Sequence, residues 1–249
     1  MIRAVTFDLW DTLVVDDSDE EVRASLGRPS KADERREVFV SEVLRHHDLP
    51  AQVVADALES ANATFRHQWK VEHRTPHIRE RLKDAYGRLS LAPTPGFGAL
   101  VEHFASMEVL TPPRPTPGVV EALESLHGKF KLGIISDAIV TPGTHLRRIL
   151  AHHNLLRFFS VFVFSDEAGA SKPSARVFEL AATGFGVQVE EIAHVGDRES
   201  NDVAGPQAVG AKGILYTGAV DRGAAESKAD AVCDDLRALP RILADWRHG

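Results

Sequence analysis

Three carboxylates, one hydroxyl and one ammonium follow short apolar runs of this chain. They belong to Asp8, Asp197, Asp202, Ser136 and Lys172. Short apolar runs bounded by polar loops are typical of buried strands in a parallel sheet. Because ligands of such sheets bind beyond the carboxyl ends of the strands, we expect these five side chains to converge on one site. Carboxylates suit a divalent cation, and a hydroxyl beside an ammonium suits a phosphoryl group.

The elements that must position these residues can be read from hydrophobic spacing. Apolar runs predict strands ending near residues 8, 136, 165 and 197, with two short strands at 213–216 and 231–233. Residues from about 16 to 110 instead carry apolar positions at helical spacing, and the proline-rich stretch 111–118 ends that pattern. We therefore predict an α/β core domain, residues 1–15 and 113–249. An α-helical domain, residues 16–112, is inserted after its first strand.

Bulk composition excludes several classes of function. The 249 residues carry a formal net charge of -7, which argues against nucleic acid or an anionic membrane as a main partner. The single cysteine, Cys233, excludes an internal disulfide. The chain shows no signal-peptide pattern, and no run approaches the roughly 18 apolar residues of a membrane span. We expect a soluble, cytoplasmic protein, and the sequence leaves its oligomeric state open.

Four motifs in chain order resemble those of the haloacid dehalogenase-like (HAD) hydrolase superfamily. They are Phe7-Asp8-Leu9-Trp10-Asp11-Thr12-Leu13, then Ser136, then Lys172-Pro173, and finally Val195-Gly196-Asp197 with Asp202 five residues later. The helical insertion resembles the C1-type cap of that superfamily. The resemblance implies a Rossmann-like three-layer core with a parallel sheet and an inserted α-helical cap domain. It also implies Mg²⁺-dependent hydrolysis of a small phosphorylated metabolite through an aspartyl-phosphate.

The residue types suit these implied roles. A carboxylate such as Asp8 can attack phosphorus and divide one displacement into two easier steps. Ser136 can donate a hydrogen bond to a phosphoryl oxygen, and Lys172 can neutralise charge there. We therefore expect Asp8, Ser136 and Lys172 to be catalytic, and Ser136, Asp137 and Lys172 to contact substrate.

The expected cofactor is Mg²⁺, which prefers hard oxygen ligands and is usually held by one or two carboxylates plus water and phosphate. Asp8 and Asp197 fit that requirement. The resemblance adds the backbone carbonyl of Trp10 as a further ligand, and Asp202 as a direct or water-mediated one.

Trp10 departs from the phosphatase pattern, which usually carries Asp two residues after the nucleophile. That Asp protonates the leaving group and later activates water. Asp11 cannot simply replace it, because side chains two apart on an extended segment share a side and those three apart do not. Asp11 is instead expected to hydrogen-bond the turn. Losing general acid–base catalysis typically costs about 10²–10⁴-fold in rate.

Asp137 is a second departure, because Asn is more familiar after the motif serine. A carboxylate beside a phosphate pocket is repulsive unless it is protonated or faces a cation.

Two alternative functions follow from these departures. A 2-haloacid dehalogenase also has a bulky aromatic residue two positions past its nucleophile, as Trp10 is here. Those enzymes work without metal and lack the Gly-Asp of the fourth motif, so Asp197 and Asp202 argue against this reading. A low-activity HAD-fold protein that binds a phosphorylated ligand or partner is the other alternative, although it would not need to keep all three carboxylates.

Four arginines of the insertion could grip an anionic substrate when the cap closes. For most of them a solvated helix face is the expected environment. They are Arg66, Arg74, Arg79 and Arg81.

Overall fold

The computed structural model describes residues 1–246, so the last residues of the predicted core domain, 247–249, lie outside the described part. Within it the chain forms one sheet of six parallel strands. The strands are β1 (Ala4–Phe7), β2 (Lys131–Ser136), β3 (Val161–Phe164), β4 (Ile192–Gly196), β5 (Lys212–Tyr216) and β6 (Ala231–Cys233). Their order across the sheet is β3-β2-β1-β4-β5-β6, which places β1 between β2 and β4.

Residues 16–110, which follow β1, are helical as their apolar spacing predicts. The helices are α1 (Ser18–Ser25), α2 (Lys31–Leu44), α3 (Ala51–Lys70), α4 (Ile78–Arg88) and α5 (Phe97–Leu110). Helices α2–α5 enclose an apolar core of their own. At its centre Tyr86 packs edge-on against Phe39 and Phe97. We refer to α1–α5 and their connections as the insert.

The remaining helices cover both faces of the sheet. They are α6 (Val119–Leu126), α7 (Gly143–His152), α8 (Ser165–Ala168), α9 (Ala175–Phe185), α10 (Gly205–Ala208) and α11 (Leu239–Ala244). Successive side chains of β1 point to opposite faces. Val5 accordingly packs in a cluster with α6, α7 and α11, whereas Ala4 packs in a second cluster with α9. The result is the three-layer Rossmann-like core that the sequence predicts.

Single-turn segments complete the described chain. Four are 3₁₀ turns, at Leu156–Phe158, Val189–Glu191, Ala224–Glu226 and Leu236–Ala238, and one is a π-helix, Glu199–Ala204. The π-helix runs directly into α10. The Asp202 side chain accepts a hydrogen bond from the Arg198 backbone N–H at 2.9 Å, which holds this turn against the end of β4. The 3₁₀ turn at Leu236–Ala238 likewise runs directly into α11.

A buried ion cluster ties the first helices of the insert to its last. The Lys31 ammonium lies 2.8 Å from Asp19, 3.1 Å from Asp17 and 3.2 Å from Glu108 on α5. Burial opposes the charged ammonium, but Glu108 and Asp19 outweigh it and raise the pKa of Lys31. Glu108 also accepts a hydrogen bond from Thr141 of the core. This cluster therefore links the insert to the sheet domain.

Replacing Lys31 with Met should destabilise the protein by about 3–5 kcal/mol, because it leaves buried carboxylates without their cation. The measurement is the free energy of unfolding in urea. Lys129→Met is the matched control, since Lys129 is exposed. Equal, small losses in the two variants would contradict the stabilising role of the cluster.

Candidate active site

Neighbouring strands bring the predicted site residues to the carboxyl edge of the sheet. Phe7 at the end of β1 is in register with Ile134 of β2 and Val195 of β4. Asp8 therefore emerges between the two loops that follow β2 and β4.

The side chains of Asp8, Asp197 and Asp202 form one buried carboxylate cluster. One oxygen from each lies within 4.8 Å of the others. Within residues 1–246, Oδ1 of Asp197 is buried and has no hydrogen-bond partner. Three hard oxygen donors, one of them unpaired, fit the requirements of Mg²⁺.

Lys172 lies against this cluster and is almost fully buried. Its Nζ is 2.7 Å from Oδ1 of Asp8 and 2.6 Å from Oδ1 of Asp202. Burial alone would lower the pKa of Lys172, but the two carboxylates outweigh it and raise that pKa. The ammonium therefore stays charged although it is buried.

The three carboxylates differ in how easily they ionise. Burial opposes ionisation of Asp202, but Lys172 and His194 outweigh it and hold its pKa below the usual value. Burial, followed by the charges of Asp8 and Asp202, raises the pKa of Asp197 to about 6. Burial also raises the pKa of Asp8, although Lys172 opposes the shift. A bound cation would relieve this mutual repulsion.

Two partners of the cluster were not predicted from the sequence. His194 on β4 places Nε2 3.1 Å from Asp202, and its Nδ1 lies 2.9 Å from the hydroxyl of Thr6. A histidine inside an otherwise apolar strand is the signal that could have identified it. Arg222, from the loop after β5, donates to Asp197 at 2.5 Å and to Asp11 at 2.6 Å. No local pattern marks that arginine.

Asp11 takes the turn-forming role expected of it. Its φ is 51°, and its Oδ1 accepts a hydrogen bond from the Asp16 backbone N–H at 3.0 Å.

Two protein N–H groups donate hydrogen bonds to the carboxylate of Asp137. Its Oδ1 accepts from the Lys172 backbone N–H at 3.0 Å, and its Oδ2 accepts from the indole N–H of Trp69 at 2.8 Å. Burial, opposed by Lys172 and the Trp69 bond, raises the pKa of Asp137 to about 6. Trp69 belongs to α3, so this contact joins the insert to the loop after β2. Sequence reasoning missed Trp69 because its partner lies 68 residues away.

A cavity of about 300 Å³ separates the insert from the core at this edge. Four of the predicted site residues line it: Asp8, Trp10, Asp137 and Lys172. Ser136, Asp197 and Asp202 do not line it. The hydroxyl of Ser136 is buried and has no partner within the described residues.

The sequence of this chain is similar to those of known hydrolases. The sequence profile of the haloacid dehalogenase-like hydrolases matches residues 2–210. A glyceraldehyde 3-phosphate phosphatase of Methanothermobacter thermautotrophicus is 33% identical over 52% of this chain and 59% of its own length. A protein of the same name from Pyrococcus abyssi is 27% identical over 87% of this chain and 82% of its own length. The chain thus spans little more than half of the Methanothermobacter relative.

Solved structures share the fold. A HAD phosphatase from Thermococcus onnurineus has a TM-score of 0.65 at 22% identity, covering 97% of this chain and 98% of its own. A 2-haloacid dehalogenase from Pseudomonas syringae has a TM-score of 0.66 at 24% identity, covering 99% of this chain and 100% of its own. Similarity at this level shows a common architecture for enzymes of two activities.

Among residues 1–246, no helix is both long and apolar enough to cross a membrane.

Proposed function

The chain belongs to the haloacid dehalogenase-like hydrolase family, and we propose that it is a Mg²⁺-dependent phosphatase of a small phosphorylated metabolite. The observation that carries this proposal is the buried cluster of Asp8, Asp197 and Asp202 with Lys172 beside it. A metal-free dehalogenase has no need for the two further carboxylates. Phosphatase names among the relatives support the same reading.

In the proposed reaction Asp8 attacks the phosphorus atom and forms an aspartyl-phosphate. The bond from phosphorus to the leaving oxygen breaks, and the departed alkoxide takes a proton from water. Water then attacks the phosphoenzyme, which releases inorganic phosphate and restores Asp8. Lys172 and Ser136 stabilise the negative phosphoryl oxygens during both steps.

Asp8, Asp197 and the backbone carbonyl of Trp10 would hold Mg²⁺, with Asp202 directly or through water. When bound there, the ion supplies positive charge toward the transferring phosphoryl group. Arg222 and Lys172 fix the orientation of the carboxylates that would coordinate it.

We further propose that residues 16–112 act as a cap over the core formed by residues 1–15 and 113 onward. Trp69 donates to Asp137, and Arg81 donates to the backbone carbonyl of Ile139. Both acceptors belong to the loop that follows Ser136. When the insert closes, its side chains would therefore contact the site directly, exclude water from it and select substrates.

The test is hydrolysis of a panel of phosphomonoesters by the purified protein, with and without Mg²⁺. Phosphate release that requires Mg²⁺ is the expected result. A parallel assay measures chloride release from 2-chloropropionate without metal and so tests the dehalogenase alternative. Chloride release in that assay would overturn the proposal. Tight ligand binding without turnover would favour the low-activity binding protein.

Replacing Asp197 with Asn should weaken Mg²⁺ binding and phosphatase activity together while the fold survives. The loss should exceed the roughly 10–100-fold typical of an outer-shell change, because a direct ligand is altered. Calorimetric titration with Mg²⁺ and kcat/KM measure the two effects. Asp48→Asn, at an exposed carboxylate, is the matched control. Unchanged Mg²⁺ affinity in Asp197→Asn would remove Asp197 from the metal site.

A further inference from the structure

Arg81 is buried inside the insert without an acidic partner among the described residues. Its side chain lies over the ring of Phe65, 3.4 Å from the centroid, and donates to the backbone carbonyl of Ile139. Its Nε has no hydrogen-bond partner within residues 1–246. Arg66, Arg74 and Arg79 are exposed, as expected of a solvated helix face. At 8% exposure, Arg81 is the exception among the four.

Arg81 lines a second cavity, of about 560 Å³, between the insert and the loop that follows β2. Three more arginines line it, namely Arg35, Arg36 and Arg66. This cavity shares four lining residues with the one above Asp8: Arg35, Trp69, Ile139 and Val140. A ligand that reaches from one cavity into the other would therefore pass these four side chains.

Arg81 is the buried arginine of the second cavity, and its positive charge has no carboxylate partner within residues 1–246. Burial and the neighbouring charges of Arg35 and Arg66 lower the pKa of the Arg81 guanidinium. An arginine nevertheless keeps its proton, so the cost of the buried charge remains.

Acidic residues also line this cavity, but all of them are exposed and have other partners. Asp33 accepts from Ser30, Asp56 accepts from Gln52, and Glu59 pairs with Arg66. Hence no carboxylate of the described chain neutralises Arg81.

We propose that this cavity binds a second anionic group of the substrate, a carboxylate or a second phosphate, through Arg81 and Arg66. The substrates would then be phosphomonoesters that carry another negative group at the end remote from the reacting phosphate. Planar guanidinium donors suit both kinds of anion, because they can offer two parallel hydrogen bonds. This inference rests on the proposed phosphatase function, since it assigns the other end of the same substrate.

The test compares three homologous series of equal chain length: ω-hydroxyalkyl phosphates, ω-carboxyalkyl phosphates and α,ω-alkanediol bisphosphates. The native protein should favour one anionic series over the hydroxyalkyl series by about 10–100-fold in kcat/KM, the range for hydrogen bonds to charged groups. The preferred series identifies carboxylate or phosphate as the second group. Arg81→Met should bring the ratio close to one. Arg74→Met, at an exposed arginine that lines neither cavity, should leave it unchanged.

Arg66→Met provides a second test if Arg81→Met fails to fold. It should lower the ratio of kcat/KM between the anionic and hydroxyalkyl series by a smaller factor. Equal kcat/KM for anionic and neutral substrates in the native protein would overturn the inference while leaving the phosphatase function intact. Failure to hydrolyse any phosphomonoester would overturn the function instead. Calorimetric titration with C4–C6 alkanedioates would then decide the anion site. If the native protein binds an alkanedioate and either Arg81→Met or Arg66→Met abolishes that binding, the anion site is supported. If the native protein binds no alkanedioate, the anion site is overturned.

Discussion

Asp8→Asn should reduce phosphatase turnover by on the order of 10⁴-fold or more, the scale of loss when a nucleophile is removed. The amide cannot form the aspartyl-phosphate through which the reaction is proposed to pass. It also removes one of the two carboxylates that hold the Lys172 ammonium, which keeps Asp202 at 2.6 Å. The measurement is kcat on the best substrate of the panel, with circular dichroism to show that the fold is retained.

Direct detection of the aspartyl-phosphate tests whether Asp8 itself is the nucleophile. Rapid acid quenching of the native enzyme with substrate should leave one phosphoryl group on the peptide that contains Asp8, detected by mass spectrometry. Asp8→Asn should leave none. Asp11→Asn is the matched control, because Asp11 is a neighbouring carboxylate whose contacts are with Arg222 and the Asp16 backbone. A phosphoryl group on another residue, or full turnover by Asp8→Asn, would exclude Asp8 as the nucleophile.

The sequence predicts the convergence of the carboxylates because that convergence depends on local pattern and sheet geometry. Asp8 and Asp197 each follow an apolar strand, and parallel neighbours end at the same edge. The carboxylate cluster then follows from the pairing of β1 with β4. The helical character of the insert could be predicted for a similar reason, since its apolar positions repeat at helical spacing.

Residues held by distant tertiary contacts could not be predicted in this way. Arg222 meets Asp11 across 211 residues, and Trp69 meets Asp137 across 68. Both pairings depend on where a loop or the insert lies over the sheet, which no local spacing specifies. The burial of Arg81 could not be predicted for a related reason. Its helix α4 presents neighbouring arginines to solvent, and only the packing of α4 on α3 and the core buries this one.

Trp10→Asp should raise the rate on alkyl phosphates, by up to the roughly 10²–10⁴-fold that general acid–base catalysis contributes. Trp10 lines the cavity above Asp8, at the position where the phosphatase motif usually carries Asp. Without that acid the leaving group departs unprotonated, so the native enzyme should prefer aryl and acyl phosphates over alkyl phosphates. The gain in Trp10→Asp should accordingly be larger for alkyl than for aryl substrates. Trp10→Asn is the matched control, because it removes the indole without supplying a proton donor.

The second chemical step, hydrolysis of the aspartyl-phosphate, gives an independent test of whether the general acid–base residue is missing. Water attack on the aspartyl-phosphate also lacks its usual base, so hydrolysis of the intermediate should limit turnover. Stopped-flow measurement with an aryl phosphate should show a burst of released phenol, about one equivalent per active site, before the slower steady state. Trp10→Asp should shorten or remove that burst.

Equal, fast turnover of alkyl and aryl phosphates by the native protein, without a burst, would mean that another residue supplies the proton. In that case Asp16, which lines the cavity above Asp8, is the candidate proton donor. Although Asp16 is exposed to the cavity, partial desolvation of its carboxyl group and the charge of Asp17 raise its pKa to about 6, close to the value an acid–base catalyst needs near neutral pH. In that case Asp16→Asn should slow alkyl phosphates more than aryl phosphates. An equal effect on both would leave Asp16 without an acid–base role.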